Sequence, residues 1–123
     1  MLGDAEFVGF ITVRDLDVAR TFYEETLGLH FITQMSAALL FDANGVRLRV
    51  TKIDELSPQP FTVAGWSVRD IEAMVDALLA KGVTFRRYEG LDQDERGIWM
   101  TPAGGKVAWF NDPDGNLLSL SFH

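Results

Sequence analysis

The chain has no cysteine and only two histidines in 123 residues. Without cysteine there is no disulfide scaffold, no thiolate metal site and no cysteine nucleophile. The histidines are His30, just past the first predicted helix, and His123, the last residue. Two such positions do not build a zinc or iron centre, which takes about three protein ligands. Long apolar runs are also missing; none approaches the ~20 residues that span a bilayer. The start, Met1-Leu2-Gly3-Asp4, has neither the basic region nor the apolar stretch of a secretory leader. The expectation is a cytoplasmic protein with no membrane partner. Basic residues are outnumbered, 11 against 18, giving a net charge of −7. No Lys/Arg cluster offsets this, so a phosphate backbone would be repelled and no nucleic-acid partner is expected. The acidity serves solubility, and could also draw in a cationic ligand. No serine stands in a nucleophile elbow, and no glycine-rich loop opens a helix to cradle a phosphate.

An internal repeat is present. Val13-Arg14-Asp15-Leu16-Asp17 returns as Val68-Arg69-Asp70-Ile71-Glu72, 55 positions on. Gly28 and Phe31 return as Gly82 and Phe85, 54 positions on. Asp42-Ala43-Asn44-Gly45 parallels Asp112-Pro113-Asp114-Gly115, 70 positions on. The jump implies an insertion of roughly fifteen residues, placed most simply at 88–97. Hydrophobic content of 47% at this length suits one domain, 1–123, with a core of its own.

Each copy predicts a strand, a helix and short strands. In the first, an apolar run at 7–13 forms a strand. Asp15 caps a helix in which Leu16, Ala19, Phe22/Tyr23 and Leu27 recur at helical spacing, and Gly28 ends it. In the second, the strand is 62–68, the cap Asp70, and the apolar helix positions Ile71, Met74, Val75, Leu78 and Leu79, with Gly82 at the end. Strands are predicted at 29–33, 37–41 and 46–52, then at 83–87, 98–101, 106–110 and 116–122. Turns are predicted at 42–45, 102–105 and 112–115. The modules span 5–53 and 61–123, joined by a linker carrying two of the four prolines. The polar tract 88–96 reads as a mobile loop. A sheet with a helix on one face leaves the other open. Two modules can therefore place their sheets into one concave surface. The fold class is α+β: two βαβββ modules forming an eight-stranded half-open barrel with the helices outside.

Val13-Arg14-Asp15 after a strand, Phe22-Tyr23, Leu27-Gly28-Leu29, and Val107-Ala108-Trp109-Phe110-Asn111-Asp112-Pro113-Asp114-Gly115-Asn116 together resemble the vicinal oxygen chelate superfamily. This is the group of glyoxalases, bleomycin-resistance proteins and extradiol dioxygenases. The resemblance runs over nearly the whole chain, both halves in order. It implies paired modules, the half-open barrel and a homodimer, and in its enzymes a divalent metal held by His and Glu. The corresponding positions here are Val8, Arg49, Val63 and Ser119. Two are hydrocarbon, one is a neutral hydroxyl and one a fixed cation, so no metal and no other cofactor is expected.

Strand alternation sorts the faces. If Val8 faces the concavity, so do Phe10 and Thr12 on the first strand. Arg47, Arg49 and Thr51 share that face on a later strand. In the second module Val63, Gly65 and Ser67, then Leu117, Ser119 and Ser121, point the same way; Val46 and Trp66 point to the helices. Trp99 and Trp109 flank this surface. The candidate ligand-binding residues are Phe10, Thr12, Arg47, Arg49, Ser67, Trp99, Trp109 and Ser119, apolar walls with a few placed polar groups. Arg49 is the sharpest of these. A cation on that face must meet a carboxylate, water or an anionic ligand, and the sequence leaves an ion pair and an anion-reading role open. No catalytic residue is identified. The expected function is metal-independent binding or sequestering of an organic small molecule, as in the bleomycin-resistance branch. The alternatives are a lyase, isomerase or dioxygenase-like enzyme with an atypical site drawing on His30, Glu6 or loop acids, and an interaction module whose pocket its own tryptophans fill.

Overall fold

The computed structural model describes residues 1–123. The chain divides into two compact units, Met1–Ser57 and Pro58–His123. In the first unit, β1 (Val8–Val13) leads to α1 (Leu16–Arg20), then β2 (His30–Met35), β3 (Ala38–Ala43) and β4 (Val46–Lys52). In the second, β5 (Thr62–Ser67) leads to α2 (Ile71–Ala80), then β6 (Trp99–Met100), β7 (Lys106–Asn111) and β8 (Leu117–Phe122). Each unit holds a four-stranded mixed sheet. The strand orders, β1-β4-β3-β2 and β5-β8-β7-β6, are the same arrangement twice. The first strand pairs parallel with the last, and the rest are antiparallel. The fold is α+β, built from two βαβββ modules.

Both predicted caps form. Asp15 accepts hydrogen bonds from the backbone N–H groups of Asp17 and Val18, and Asp70 from that of Ala73. Each satisfies amide protons that the first helical turn leaves orphaned. Gly28 and Gly82, at φ +77° and +90°, turn the chain out of the helices in the left-handed region that side chains avoid. The first helix continues as a π-helical segment, Thr21–Thr26, whose Leu27 N–H reaches back five residues to the Phe22 carbonyl at 2.9 Å. The widened turn seats Tyr23 fully buried against Phe22 and Phe41.

Each helix packs on one face of its sheet. In the first unit that face buries Ile11, Val13, Leu39, Phe41, Leu48 and Val50 against Ala19 and Tyr23. In the second it buries Ala108, Phe110, Leu118 and Leu120 against Ile71, Val75 and Leu78. Met74 and Leu79, expected on the apolar stripe of α2, are exposed. The stripe of buried positions is i, i+4, i+7, and these two flank it. Val46, expected on the helix side, is exposed as the first residue of its strand. Val13 and Trp66 lie on the sides that alternation assigns them, one buried and one part-buried.

The insertion changes the second sheet. The predicted strand 83–87 is reduced to an isolated bridge, Phe85 opposite Phe110, with the Arg86 N–H donating to the Trp109 carbonyl at 2.7 Å. The predicted strand 98–101 shrinks to β6, opposite Lys106 and Val107. Two short pieces thus share the edge that β2 occupies alone in the first unit. Between them, the tract expected to be a mobile loop is tied down. The Gln93 side chain takes the Tyr88 N–H and donates to the carbonyls of Arg86 and Gly97. Arg87 donates to the carbonyls of Asp94 and Glu95. Arg96 pairs with Asp76 on α2 at 2.8 Å, and Lys106 pairs with Glu72. Arg96 holds the Asp76 carboxyl below its ordinary pKa, and Lys106 does the same for Glu72. Their contribution is therefore present above the ordinary carboxylate pKa and fades as pH falls through the lowered values. No helix is long and apolar enough to cross a membrane.

Candidate functional site

The face of each sheet away from its helix carries the polar and aromatic side chains. On the first sheet the parallel register sets Val8 beside Arg47, Phe10 beside Arg49 and Thr12 beside Thr51. On the other side of β4, Arg47 stands opposite Asp42 and Arg49 opposite Leu40. Alternation with buried Ile11, Val13, Leu48 and Val50 puts Phe10, Thr12, Arg47 and Arg49 together on this face. Phe10 is 64% exposed.

Arg47 and Arg49 are part-buried, yet neither makes an ion pair or side-chain hydrogen bond within its unit. The nearest acid in register, Asp42, spends an oxygen on the Gly45 N–H at 3.0 Å to close the β3–β4 turn. Two neighbouring guanidinium groups thus stand on this face without a carboxylate. Each carries five N–H donors and a charge that never leaves.

On the second sheet the corresponding face carries Gly65 and Ser67 on β5, Ser119 and Ser121 on β8, Trp109 on β7 and Trp99 on β6. Register sets Gly65 beside Ser119, Ser67 beside Ser121 and Trp109 opposite Ser119. A Cβ at Gly65 would lie 2.5 Å from the Ser119 Oγ and 3.1 Å from its carbonyl oxygen. Glycine is what lets this hydroxyl lie across the neighbouring strand. Trp99 and Trp109 stack with centroids 6.2 Å apart and planes 29° from parallel. Tyr88 meets Trp109 edge-on at 5.2 Å, and the Arg86 guanidinium lies 5.7 Å from the Tyr88 ring. The result is a run of rings ending in a cation.

Of the predicted residues, Phe10, Thr12, Arg47 and Arg49 thus gather on the first sheet. Ser67, Trp99, Trp109 and Ser119 gather on the second. Arg86, Tyr88 and Asn111 are not among the residues that the sequence singles out. Local composition puts Arg86 in a strand and Tyr88 in a loop, and the contact that organises them, Arg86 with Asn111, spans 25 positions.

The superfamily's metal positions carry the wrong donors. Val8 and Arg49 lie on the open face of the first sheet, Val63 and Ser119 on strands of the second. Hydrocarbon, a guanidinium and one hydroxyl offer a divalent cation no adequate ligand set. No three His, Asp or Glu side chains cluster in a way that could hold a metal. His30 and Glu6 are exposed and join no such group. The residues present do not fit the metal.

Comparison with known proteins follows the same lines. The family described as Glyoxalase/Bleomycin resistance protein/Dioxygenase superfamily matches residues 6–120. A glyoxalase/bleomycin resistance protein/dioxygenase structure from Alicyclobacillus acidocaldarius is 25% identical at TM-score 0.70, covering 98% of this chain and 92% of that one. A superfamily member from Sphaerobacter thermophilus is 25% identical at TM-score 0.75, with 100% of both chains covered. A lactoylglutathione lyase from Agrobacterium tumefaciens, 16% identical at TM-score 0.70 with 97% and 93% covered, shares the fold. No curated protein matches the chain.

Proposed function

We propose, from the premise that this chain belongs to the glyoxalase/bleomycin resistance protein/dioxygenase superfamily, that it is a metal-independent protein that binds a small organic anion. The observation that carries this reading is the pair Arg47 and Arg49, part-buried and without an acid partner in their unit. A part-buried cation gains most when an anion supplies the missing hydrogen bonds. Phe10 and Leu40, on either side of Arg49, give the ligand an apolar body to lie against, and Thr12 and Thr51 add hydroxyls.

Thermal-shift and calorimetric titration test it, with a panel of small carboxylates and phosphates, their neutral analogues, and divalent metals. At least one organic anion is expected to raise Tm, and its neutral analogue to bind far more weakly. Arg49→Ala is expected to weaken that anion at least about tenfold, since a charge-assisted hydrogen bond contributes roughly 1.5–3 kcal/mol. Metals alone are expected to leave Tm unchanged. A shift with a divalent metal alone, or equal binding by Arg49→Ala, would sink the reading.

The protein is also proposed to act as a homodimer. The edge strand β1 and the residue before it expose Phe7 at 74%, with Phe10, and the residue before β5 exposes Phe61 at 58%. Exposed apolar edges of this kind favour association. Sedimentation equilibrium should return twice the chain mass of 13.7 kDa; the single mass would refute it.

A further inference from the structure

The second unit contains a groove of about 260 Å³, lined by Pro58, Gln59, Pro60, Arg86, Tyr88, Asn111, Gly115 and Leu117. Its one charged lining residue is Arg86, in a chain whose net charge is −7. A single cation set against that background marks the groove for an anion rather than for the cations the rest of the surface attracts.

The guanidinium is held ready rather than spent. Arg86 Nη1 donates to Asn111 Oδ1 at 2.9 Å. That is one of five N–H donors, and no other protein partner engages them. Asn111 is fixed in turn: its Nδ2 donates to the carbonyls of Gly115 and Asn116 at 3.1 and 3.5 Å. Those carbonyls belong to the turn that the buried Asp112 carboxylate organises. A side chain positioned through two further hydrogen-bonded layers loses little freedom when a ligand arrives, which is how binding sites are preorganised.

Tyr88 is the one aromatic wall, and Leu117, Pro58 and Pro60 add apolar surface beside the amides of Gln59 and Asn111. Tyr88 lies in the groove with its edge on Trp109, which stacks on Trp99. An aromatic wall at Tyr88 favours a flat ligand through offset or edge-to-face contact. A volume near 260 Å³ lies just below the roughly 300 Å³ at which drug-sized ligand pockets begin, which limits the ligand to one or two rings.

We propose that this groove is a second binding site, for a planar aromatic carboxylate, with Arg86 taking the carboxylate and Tyr88 covering the ring. It uses no residue of the Arg47–Arg49 face and stands whether or not that reading holds.

The test uses intrinsic fluorescence. All three tryptophans, Trp66, Trp99 and Trp109, lie in the second unit, so emission reports on this groove through the Tyr88–Trp109 contact. The intact protein is titrated with benzoate and 2-naphthoate, and with the corresponding primary amides. The acids are expected to perturb the emission saturably and to bind at least about tenfold more tightly than the amides, as a lost charge-assisted pair implies. Arg86→Gln is expected to remove that preference, and Tyr88→Leu to weaken both acids several-fold while keeping it. Arg69→Gln, an exposed arginine of the same unit that belongs to neither site, should bind them like the unmodified protein, and Arg49→Ala shows whether the first sheet takes the acids instead. Circular dichroism melts show whether Arg86→Gln is folded; the amide comparison needs no variant. The proposal is overturned if neither acid binds, if the amides bind as well as the acids, or if the loss follows Arg49→Ala and spares Arg86→Gln. That last outcome would assign the acids to the first site.

Discussion

Phe110→Ala is expected to cost about 4 kcal/mol of unfolding free energy, because truncating a buried phenylalanine removes its transfer energy and leaves a cavity. For a domain of this size that lowers Tm by roughly 15 °C. Phe110 is fully buried on the helix side of β7. Its ring lies 5.5 Å from that of Phe85, and the same two residues make the bridge that holds the segment after α2 to the sheet. Removing the ring opens a gap where helix, sheet and bridged segment meet, so no single element can shift to close it. Phe110→Leu keeps most of the volume and should cost less than about 1.5 kcal/mol. Phe122→Ala, at an exposed position near the chain end, should fall within about 0.5 kcal/mol. Urea titration of the three variants gives the order. A Phe110→Ala loss below about 1 kcal/mol would mean that this core does not depend on the contact.

The sequence carries the fold well and the sites unevenly, for different physical reasons. A duplicated motif is visible because Asp15 and Asp70 do the same local work, and N-capping depends only on the next three residues. Strand faces are readable because alternation has a period of two, and Arg47 and Arg49 sit where it puts them. The π-helical widening at 21–26 leaves no compositional mark, since it is a choice of hydrogen-bond register. The broken edge strand escapes a sequence reading because Gln93 contributes through its side chain to backbone groups on both sides of the insertion. Propensity cannot announce a glutamine used that way. That Arg47 lacks an acid partner is likewise a tertiary fact. Asp42 is close in register, and only the structure shows its carboxylate turned to the Gly45 N–H.

Asp112→Ala is expected to cost about 3 kcal/mol, since each buried polar group left unpaired costs roughly 1–3 kcal/mol. The carboxylate is 4% exposed. One oxygen accepts the N–H groups of Asp114 and Asn116 at 2.9 Å each, and the other accepts the Asn116 side-chain amide at 2.8 Å. Alanine strands those donors inside the turn. Asp112→Asn restores only part of the loss, because the new side-chain NH₂ would face the NH₂ of Asn116; its cost should fall between that of alanine and zero. The repeat supplies an internal control. Asp42, its counterpart, is only part-buried and accepts the Gly45 N–H alone, so Asp42→Ala should cost about 1 kcal/mol. The two turns look alike in sequence and differ in how much each carboxylate must satisfy. The difference reaches the groove, because the Asp112 turn presents the carbonyls that hold Asn111, and Asn111 holds Arg86. Folded Asp112→Ala protein, at a temperature well below its Tm, should therefore bind 2-naphthoate several-fold more weakly, while Asp42→Ala binds it unchanged. Equal stability losses in the two variants would show that burial of the second carboxylate adds nothing. A destabilised Asp112→Ala that still bound the acid normally would show that Arg86 finds its place without the turn.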